Sequence, residues 1–204
     1  MNVRIIGDGS FGSFLRGLLA PVFDLDKAAE TVILAVPISA YDSVAAENAG
    51  KHLINVCSVQ KPSTDALLRH TPYVTSIHPL FGSRTPVNKR ATLVTHTFQG
   101  KDGGDGKFDE LETLFLEGFA SISSIHTEDH DGIAFTPDSH DRLMAKTHVA
   151  AVLAAKQMKV FVERASDVPD EFVPNSFRLM REFVRTLDDM PPGTIESIMA
   201  NPYY

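Results

Sequence analysis

Short apolar runs alternate with amphipathic segments along the first part of the chain. The runs have the length and β-branched content of buried strands, and the segments between them carry apolar residues at helical spacing. The predicted strands are residues 3–6, 31–36, 52–56, 73–77, 91–95 and 120–126. The predicted helices between them are residues 10–20, 40–51, 62–70 and 108–118. Strands that alternate with helices of about ten residues predict a parallel, doubly wound α/β sheet.

The pattern changes after residue 127. From there on apolar residues recur at helical spacing throughout, and the predicted helices are residues 139–164 and 175–189. A glycine-rich stretch at 99–107 is too flexible for the interior of a helix or strand and predicts a mobile surface loop. The sequence therefore predicts two domains, an α/β domain at 1–127 and a small all-helical domain at 128–204.

Composition narrows the class of protein. The chain has 204 residues, of which 43% are hydrophobic and 22% are charged, as in ordinary globular proteins. The net charge of −7 argues against nucleic-acid binding, and no apolar run approaches the roughly 18 residues that a membrane span needs. The single cysteine, Cys57, excludes an internal disulfide framework, and the amino terminus lacks a secretory pattern. We therefore expect a cytoplasmic protein that binds neither nucleic acid nor membranes.

A glycine motif directly follows the first predicted strand. Gly7, Gly9 and Gly12 have the spacing G-x-G-x-x-G, and Ser10 and Phe11 open the first predicted helix. Glycines in this position allow a tight turn, let the backbone approach a pyrophosphate and permit close helix–strand packing. The free N–H groups of the helix then face the phosphates. The motif predicts a Rossmann-like domain that binds a dinucleotide; the alternative is a glycine-rich turn without a ligand.

The segment that would bind the adenosine ribose is short. Only 25 residues separate Gly7 from Val32, too few for the usual helix, strand and helix, so the second strand is either a stub at residues 22–24 or is missing. In a full nucleotide-binding half, an acidic residue about 20 positions after the motif binds the ribose hydroxyls. Asp24 is the better candidate for this role and Asp26 the second. A solvated acidic loop is the alternative.

Polar residues follow three of the predicted strands. His78 comes just after strand 73–77, Ser58 follows strand 52–56, and Pro37 follows strand 31–36. The carboxyl ends of parallel strands meet at one edge, where open α/β sheets bind their ligands. We therefore expect these residues to line one crevice, although a single histidine in such a position is more often structural.

The helical part contains further candidates. His140 is followed by Asp141, and His148 lies eight residues after His140, so the two histidines could share one helix face. Their spacing does not match the i, i+4 arrangement of a metal site, and we predict no metal. Farther on, Arg178 and Arg185 alternate with apolar residues. They form either a solvated basic face or a guanidinium site for a substrate carboxylate.

Together these segments resemble the prephenate/arogenate dehydrogenase family. The similar segments run in order along most of the chain: residues 5–12, 32–39, 55–61, 76–82, 140–145 and 201–202. The His-Pro-Leu-Phe-Gly segment and the Ser-Val-Gln segment are fairly specific, whereas many oxidoreductases share the glycine motif. The resemblance implies a Rossmann-like parallel sheet with a shortened nucleotide-binding half, followed by a small helical dimerisation domain.

The resemblance also implies a reaction. The family oxidises a cyclohexadienol in tyrosine biosynthesis, passing a hydride from the ring carbinol carbon to NAD or NADP while the ring carboxylate leaves as CO2. The implied substrate is a small molecule, prephenate or arogenate. The implied assembly is a homodimer that forms through the carboxyl-terminal helices.

Individual residues acquire roles from this resemblance. His78 would act as the base on the ring hydroxyl, Ser58 would orient that hydroxyl, and His148 would lie near the substrate. Arg185, in preference to Arg178, would bind the carboxylate of the substrate side chain. The residues implied in cofactor binding are Gly7, Gly9, Ser10, Phe11, Gly12, Asp24, Val36 and Pro37.

The chain also departs from the family pattern. Gln60 stands where a lysine is usual, and His148 follows His140 more closely than is usual. The helical part is small for the family. Two alternatives therefore stay open: a non-catalytic nucleotide- or metabolite-binding protein on the same scaffold, and a dehydrogenase of another small acid.

Overall fold

The central element is a seven-stranded sheet with the strand order β2-β1-β3-β4-β5-β6-β7. The computed structural model describes residues 1–82, 85–95, 106–190 and 193–204. The strands are β1 Asn2–Ile6, β2 Asp24–Leu25, β3 Thr31–Leu34, β4 His52–Asn55, β5 Val74–Pro79, β6 Ala91–Thr95 and β7 Ser124–His126. The α/β fold and the predicted shortening of the nucleotide-binding half are confirmed.

Helices follow most strands, as the sequence pattern predicts. They are α1 Ser10–Leu19, α2 Tyr41–Glu47, α3 Gln60–Leu68, α4 Gly106–Ala120, α5 Pro137–Met144, α6 Ala150–Arg164, α7 Asn175–Asp188 and α8 Thr194–Met199. A five-residue π-helix, Ala145–Val149, joins α5 to α6. Most of the predicted glycine-rich loop lies outside the described residues, and α4 begins at Gly106. No helix among the described residues has the length and hydropathy to cross a membrane.

The sheet is covered on both faces by helices. Leu15 of α1 and Phe115 of α4 belong to one buried cluster, and Tyr41 of α2 and Leu67 of α3 belong to the other. Successive strand residues point to opposite faces, so every residue of β3, β4 and β5 is buried. This explains why β3 appears in the sequence as a mostly apolar run rather than an alternating one.

One strand departs from the predicted parallel arrangement. β5 and β6 pair antiparallel, with His78 opposite Leu93, whereas the other pairs in the sheet are parallel. A parallel pair requires a long crossover, usually a helix. The described residues between β5 and β6 contain only the short 3-10 turn Val87–Lys89, so the chain returns beside β5 in the opposite direction.

β2 is a two-residue stub at the edge of the sheet. Asp24 pairs with Asn2 and Leu25 with Val3, while β1 continues to Ile6. β3 begins at the same level, because Thr31 pairs with Val3 from the other side. The connection at 26–30 can therefore be short, although parallel strands usually need a dozen or more residues between them.

The described chain forms two compact units, Met1–Asp141 and Arg142–Tyr204. The sequence pattern places the boundary earlier, after residue 127. The intervening segment belongs with the sheet because its Phe135 is buried and its Asp141 hydrogen-bonds to the start of α3. In the second unit, α6, α7 and α8 share a small apolar core that includes Val152 and Leu187.

Candidate active site

The glycine turn after β1 contains two glycines that the fold itself requires. Gly7 has φ +124°, and a Cβ on it would lie 2.1 Å from the carbonyl oxygen of Ala35. A Cβ on Gly12 would lie 2.1 Å from the carbonyl oxygen of Gly7. A side chain at either position would push the turn away from β3 or from α1.

Gly9 differs from these two, because its position leaves space for a ligand. A Cβ on Gly9 would have no other atom within 4 Å. Gly9 is also the N-cap residue of α1, and no side chain caps this helix. The first N–H groups of α1, including those of Ser10 and Phe11, therefore face open space with the positive end of the helix dipole behind them. This turn fits a phosphate group.

The two acidic residues predicted for the ribose lie elsewhere on the sheet. Asp24 is opposite Asn2, four residues before the end of β1, which is about 13 Å at about 3.3 Å per residue. Asp26 accepts hydrogen bonds from the Asn2 side chain at 3.3 Å and from the Ala28 N–H at 2.9 Å. The register thus places both toward the amino end of the sheet, away from the glycine turn.

Val36 and Pro37 do lie at the edge that carries the glycine turn. The Ala35 N–H donates to the Ile6 carbonyl at 2.8 Å, so the chain leaves β3 beside the end of β1. Val36 is half-buried and Pro37 is exposed. Their position agrees with a cofactor contact.

His78 is one end of a buried chain of three side chains in the first unit. Its Nδ1 lies 2.9 Å from His140 Nε2, and His140 Nδ1 lies 2.9 Å from Asp141 Oδ1. His78 is 3% exposed, and His140 and Asp141 are fully buried. β5 positions His78, and α5 positions the other two.

The Asp141 carboxylate is fixed by the start of α3. Oδ1 accepts the Gln60 N–H at 2.7 Å, and Oδ2 accepts the Lys61 N–H at 2.8 Å. These are unpaired donors of the first helical turn, where the helix dipole favours a negative charge. Asp141 thus caps α3 from a distant part of the chain, and both of its oxygens accept hydrogen bonds.

The hydrogen bonds determine which ring nitrogen of each histidine carries the proton. Asp141 can only accept, so His140 donates from Nδ1. Neutral His140 then has its lone pair on Nε2, and His78 must donate to it from Nδ1. Neutral His78 in turn has its lone pair on Nε2, which is the form of a base. When His78 Nε2 takes up a proton, the ring becomes an imidazolium that is hydrogen-bonded to His140. His140 is in turn hydrogen-bonded to the Asp141 carboxylate, whose negative charge stabilises the positive ring.

Gln60 holds the segment that anchors Asp141. Its buried side chain donates from Nε2 to the carbonyl oxygens of Cys57 at 2.6 Å and Ile77 at 3.1 Å. It therefore ties the start of α3 to the ends of β4 and β5. A buried, neutral amide satisfies these acceptors without the cost of burying a charge.

Two neighbouring residues after β4 differ in exposure. Ser58 is half-buried, and the hydrogen-bond partner of His78 Nδ1 is His140 rather than Ser58. Burial raises the pKa of the Cys57 thiol to about 11. Cys57 is therefore protonated near neutral pH and does not serve as a nucleophile.

The sequence pattern alone does not reveal the roles of His140 and Asp141. The same dipeptide occurs at His130-Asp131, where the two side chains are 89% and 66% exposed. Asp129, beside this second pair, completes the one group of three potential metal ligands among the described residues, on a surface turn. The two dipeptides differ in burial, since His140-Asp141 is buried and His130-Asp131 is exposed. Burial depends on contacts with residues that are distant in the sequence, so the local pattern does not show it.

His148 lies within the π-helix of the second unit. It lines a small, mostly apolar groove together with Val152, Phe183 and Leu187. π-helical turns inside α-helices occur often at functional sites. This setting supports a functional role for His148.

The two candidate arginines have different environments. Arg178 donates to the carbonyl oxygens of Asp170 at 2.7 Å and Val173 at 3.3 Å, so its guanidinium is used within the unit. Arg185 is exposed, and its guanidinium makes no hydrogen bond or ion pair with another described residue. The geometry favours Arg185 for binding an external carboxylate.

No family model and none of the curated proteins matches this sequence. Solved structures do match. A candidate prephenate dehydrogenase from Corynebacterium glutamicum is 16% identical, with a TM-score of 0.70 over 97% of this chain and 73% of its own. Prephenate dehydrogenase from Aquifex aeolicus is 14% identical, with a TM-score of 0.60 over 97% of this chain and 86% of its own. Arogenate dehydrogenase from Synechocystis is 14% identical, with a TM-score of 0.61 over 98% and 84%.

This chain shares their fold. The similarity extends over both units, since almost the whole chain is covered. At this level of identity the comparison establishes the architecture, and the chemistry has to be argued from the site.

Proposed function

We propose that this chain is an NAD(P)-dependent dehydrogenase that oxidises the ring alcohol of prephenate or arogenate with loss of CO2. The observation that carries the proposal is the buried chain from Asp141 through His140 to His78. It makes His78 Nε2 a base near the carboxyl ends of the strands, where open α/β sheets bind ligands. The glycine turn and the shared fold support the nicotinamide cofactor.

The protein residues supply a base and the groups that stabilise the positive charge on that base after proton transfer. The bound nicotinamide would accept the hydride from the carbinol carbon. His78 Nε2 would take the hydroxyl proton as the carbon–oxygen double bond forms, a contribution of about 10²–10⁴ in rate. His140 and Asp141 would stabilise the resulting imidazolium. Ser58 would hold the hydroxyl in place.

The ring completes the reaction by becoming aromatic. The bond between the ring and its carboxylate breaks, its electron pair enters the ring, and CO2 leaves. The pair displaced onto the ring oxygen gives a phenolate, which takes back the proton held by His78, so this step needs no further acid or base from the protein. The task of the site is therefore to bring the alcohol, the base and the cofactor together in the correct geometry.

For the second unit we propose substrate binding by His148 and Arg185. Both substrates carry a side-chain carboxylate, and a guanidinium binds a carboxylate through two parallel hydrogen bonds. The guanidinium of Arg185 is exposed and can bind a carboxylate, whereas the guanidinium of Arg178 already donates to backbone carbonyl groups of its own unit.

We also propose that the chain forms a homodimer through the second unit. Phe161, Phe172 and Leu179 are each more than half exposed, although this unit is small. Contiguous exposed apolar patches mark association surfaces, and we propose that these three side chains belong to one such patch. Sedimentation or light scattering of the wild type and of Phe161→Glu would test this, and a monomeric wild type would contradict it.

The deciding experiment is an assay with purified protein, prephenate or arogenate, and NAD+ or NADP+. We expect formation of reduced nicotinamide that depends on one of the two substrates. The variant Gly9→Val, which fills the space above α1, should abolish nucleotide binding in a folded protein. Gly17→Val is the matched control, because Gly17 also has open space around it but lies on the outer side of α1. A protein that binds nucleotide and turns over neither substrate would contradict the proposal.

A further inference from the structure

The edge of the sheet beside β1 ends early on the side that would hold adenosine. In doubly wound sheets, the ribose of the adenosine is bound at the carboxyl end of the strand next to the glycine turn. Here that strand is β2, which stops opposite Val3, while β1 runs three residues farther to Ile6. β2 therefore ends about 10 Å short of the glycine turn at about 3.3 Å per residue.

A side chain of α1 occupies the place where a longer β2 would pair. Carbonyl groups of alternate residues point to the same side of a strand, and the Val3 carbonyl accepts the Asp26 N–H on the β2 side. The Ile5 carbonyl therefore faces the same side. It accepts a hydrogen bond from Arg16 Nη2 at 3.3 Å. The guanidinium thus covers the edge of β1 at the level of the missing strand.

The charges at this place are already paired. Arg16 Nη2 also lies 2.7 Å from Asp8 Oδ1, within the glycine turn. A 2′-phosphate would have to compete with Asp8 for Arg16, and ribose hydroxyls would have to compete with Arg16 for Asp8. Asp24 and Asp26 lie near the amino end of β1, too far from the glycine turn to bind the ribose in place of Asp8.

The phosphate end of the site has the opposite character. The open space at Gly9 and the uncapped start of α1 fit a phosphate group, as described above. A single phosphate group is enough to accept hydrogen bonds from the N–H groups at the start of α1. The open space at Gly9 can therefore take a phosphate, whereas the two charged side chains that the described residues place beside the end of β1, Asp8 and Arg16, are already paired with each other.

We propose that this chain recognises its cofactor as a nicotinamide mononucleotide, with the adenosine of NAD or NADP contributing little to affinity. The inference rests on the proposed function, because it concerns the same nicotinamide site. It has two consequences. Reduced nicotinamide mononucleotide binds nearly as well as NADH, and NADH and NADPH bind nearly equally.

The test is a calorimetric titration of the whole chain with NADH, NADPH, reduced nicotinamide mononucleotide and ADP-ribose at one salt concentration. We expect the first three dissociation constants to agree within tenfold and ADP-ribose to bind more than tenfold more weakly than the mononucleotide. A dinucleotide that binds more than tenfold more tightly than the mononucleotide overturns the inference. So does a difference of more than tenfold between NADH and NADPH, or ADP-ribose that binds as well as the mononucleotide.

Variants separate failure of this inference from failure of the proposed function. Asp24→Ala and Arg16→Ala should leave the ratios among the three nicotinamide ligands unchanged within threefold, and a selective tenfold loss of NADH or NADPH affinity contradicts the inference alone. Gly9→Val should weaken all three ligands together by at least tenfold, with folding verified by circular dichroism. If the folded wild type binds none of them at millimolar concentration, the proposed function falls and this inference falls with it.

Discussion

The carboxylate of Asp141 accepts the backbone N–H of Gln60 at 2.7 Å, across a separation of 81 residues. The same carboxylate holds His140, so one side chain both starts α3 and orients the histidine behind His78. A buried carboxylate is costly unless its oxygens are hydrogen-bonded, and here both are. The cap of α3 and the orientation of His140 therefore depend on one group.

Replacement of this group should affect both stability and turnover. Asp141→Asn turns one acceptor into an N–H2 donor that faces a backbone N–H, so we expect unfolding to be easier by about 1–3 kcal/mol. The imidazolium of His78 also loses its distant counter-charge, and kcat should fall at least tenfold while KM changes less than threefold. Urea denaturation and steady-state kinetics measure the two effects.

The matched control is Asp131→Asn, which alters the exposed copy of the same dipeptide. We expect neither stability nor kcat to change measurably, because exposed pairs contribute little. If Asp141→Asn retained full turnover in a folded protein, the role assigned to His140 and Asp141 would be wrong.

The base itself can be tested by His78→Asn. Without Nε2 as a proton acceptor, we expect kcat to fall by about 10²–10⁴ while the affinity for the nucleotide stays within threefold. Steady-state kinetics together with nucleotide titration separates these two quantities. Unchanged turnover would show that another group takes the proton.

The two arginines of α7 should respond differently to truncation. Arg185→Ala should raise KM for the substrate by tenfold or more, because it removes an ion pair with the substrate carboxylate, and leave stability nearly unchanged. Arg178→Ala should lower stability by about 1 kcal/mol, because the carbonyls of Asp170 and Val173 lose the guanidinium as a donor, and leave KM nearly unchanged. An equal rise of KM in both variants would argue against the choice of Arg185.

Stability should depend on pH through His52. Burial lowers the pKa of His52 from its ordinary 6.5 to about 4. The folded state therefore binds fewer protons at this residue than the unfolded state, and stability falls as pH drops from about 6.5 toward 4. The full effect is about 3 kcal/mol, at about 1.4 kcal/mol per pKa unit.

The check on His52 is denaturation of wild type and His52→Gln between pH 4 and 7. Glutamine can still bond to Thr31 and Thr75, the two hydroxyl partners of His52, but cannot take up a proton. We expect a flatter dependence on pH in the variant. Equal slopes in the two proteins would mean that other groups account for the acid sensitivity.

The elements follow from local patterns, and the sequence predicts most of them. The apolar runs of β3 and β4 need burial on both faces, and this requirement is visible in any short window of sequence. The shortness of β2 follows from counting residues between Gly7 and Val32, although the stub is Asp24–Leu25 rather than residues 22–24. The antiparallel direction of β6 could not be predicted in this way, because it depends on how the chain turns between β5 and β6.

The candidate site also has a part that local sequence patterns predict and a part that depends on distant contacts. The glycine turn and His78 occupy strand ends, so their place follows from the elements. His140 and Asp141 become informative only when α5 packs against the sheet, and this contact joins distant parts of the chain. The π-helix around His148 is equally hidden, because a single extra residue per turn leaves no clear mark on the apolar spacing.

The short connection between Leu25 and Thr31 also makes this sheet a natural acceptor for inserted sequence. Both ends of the connection are anchored on Val3, one on each side, so a longer segment spliced in at Lys27 or Ala28 would leave the registers of the other strands unchanged. Lengthening a loop costs little, about 0.6 kcal/mol per doubling. A complete strand–helix unit could be grafted there to build an adenosine pocket beside the open space at Gly9.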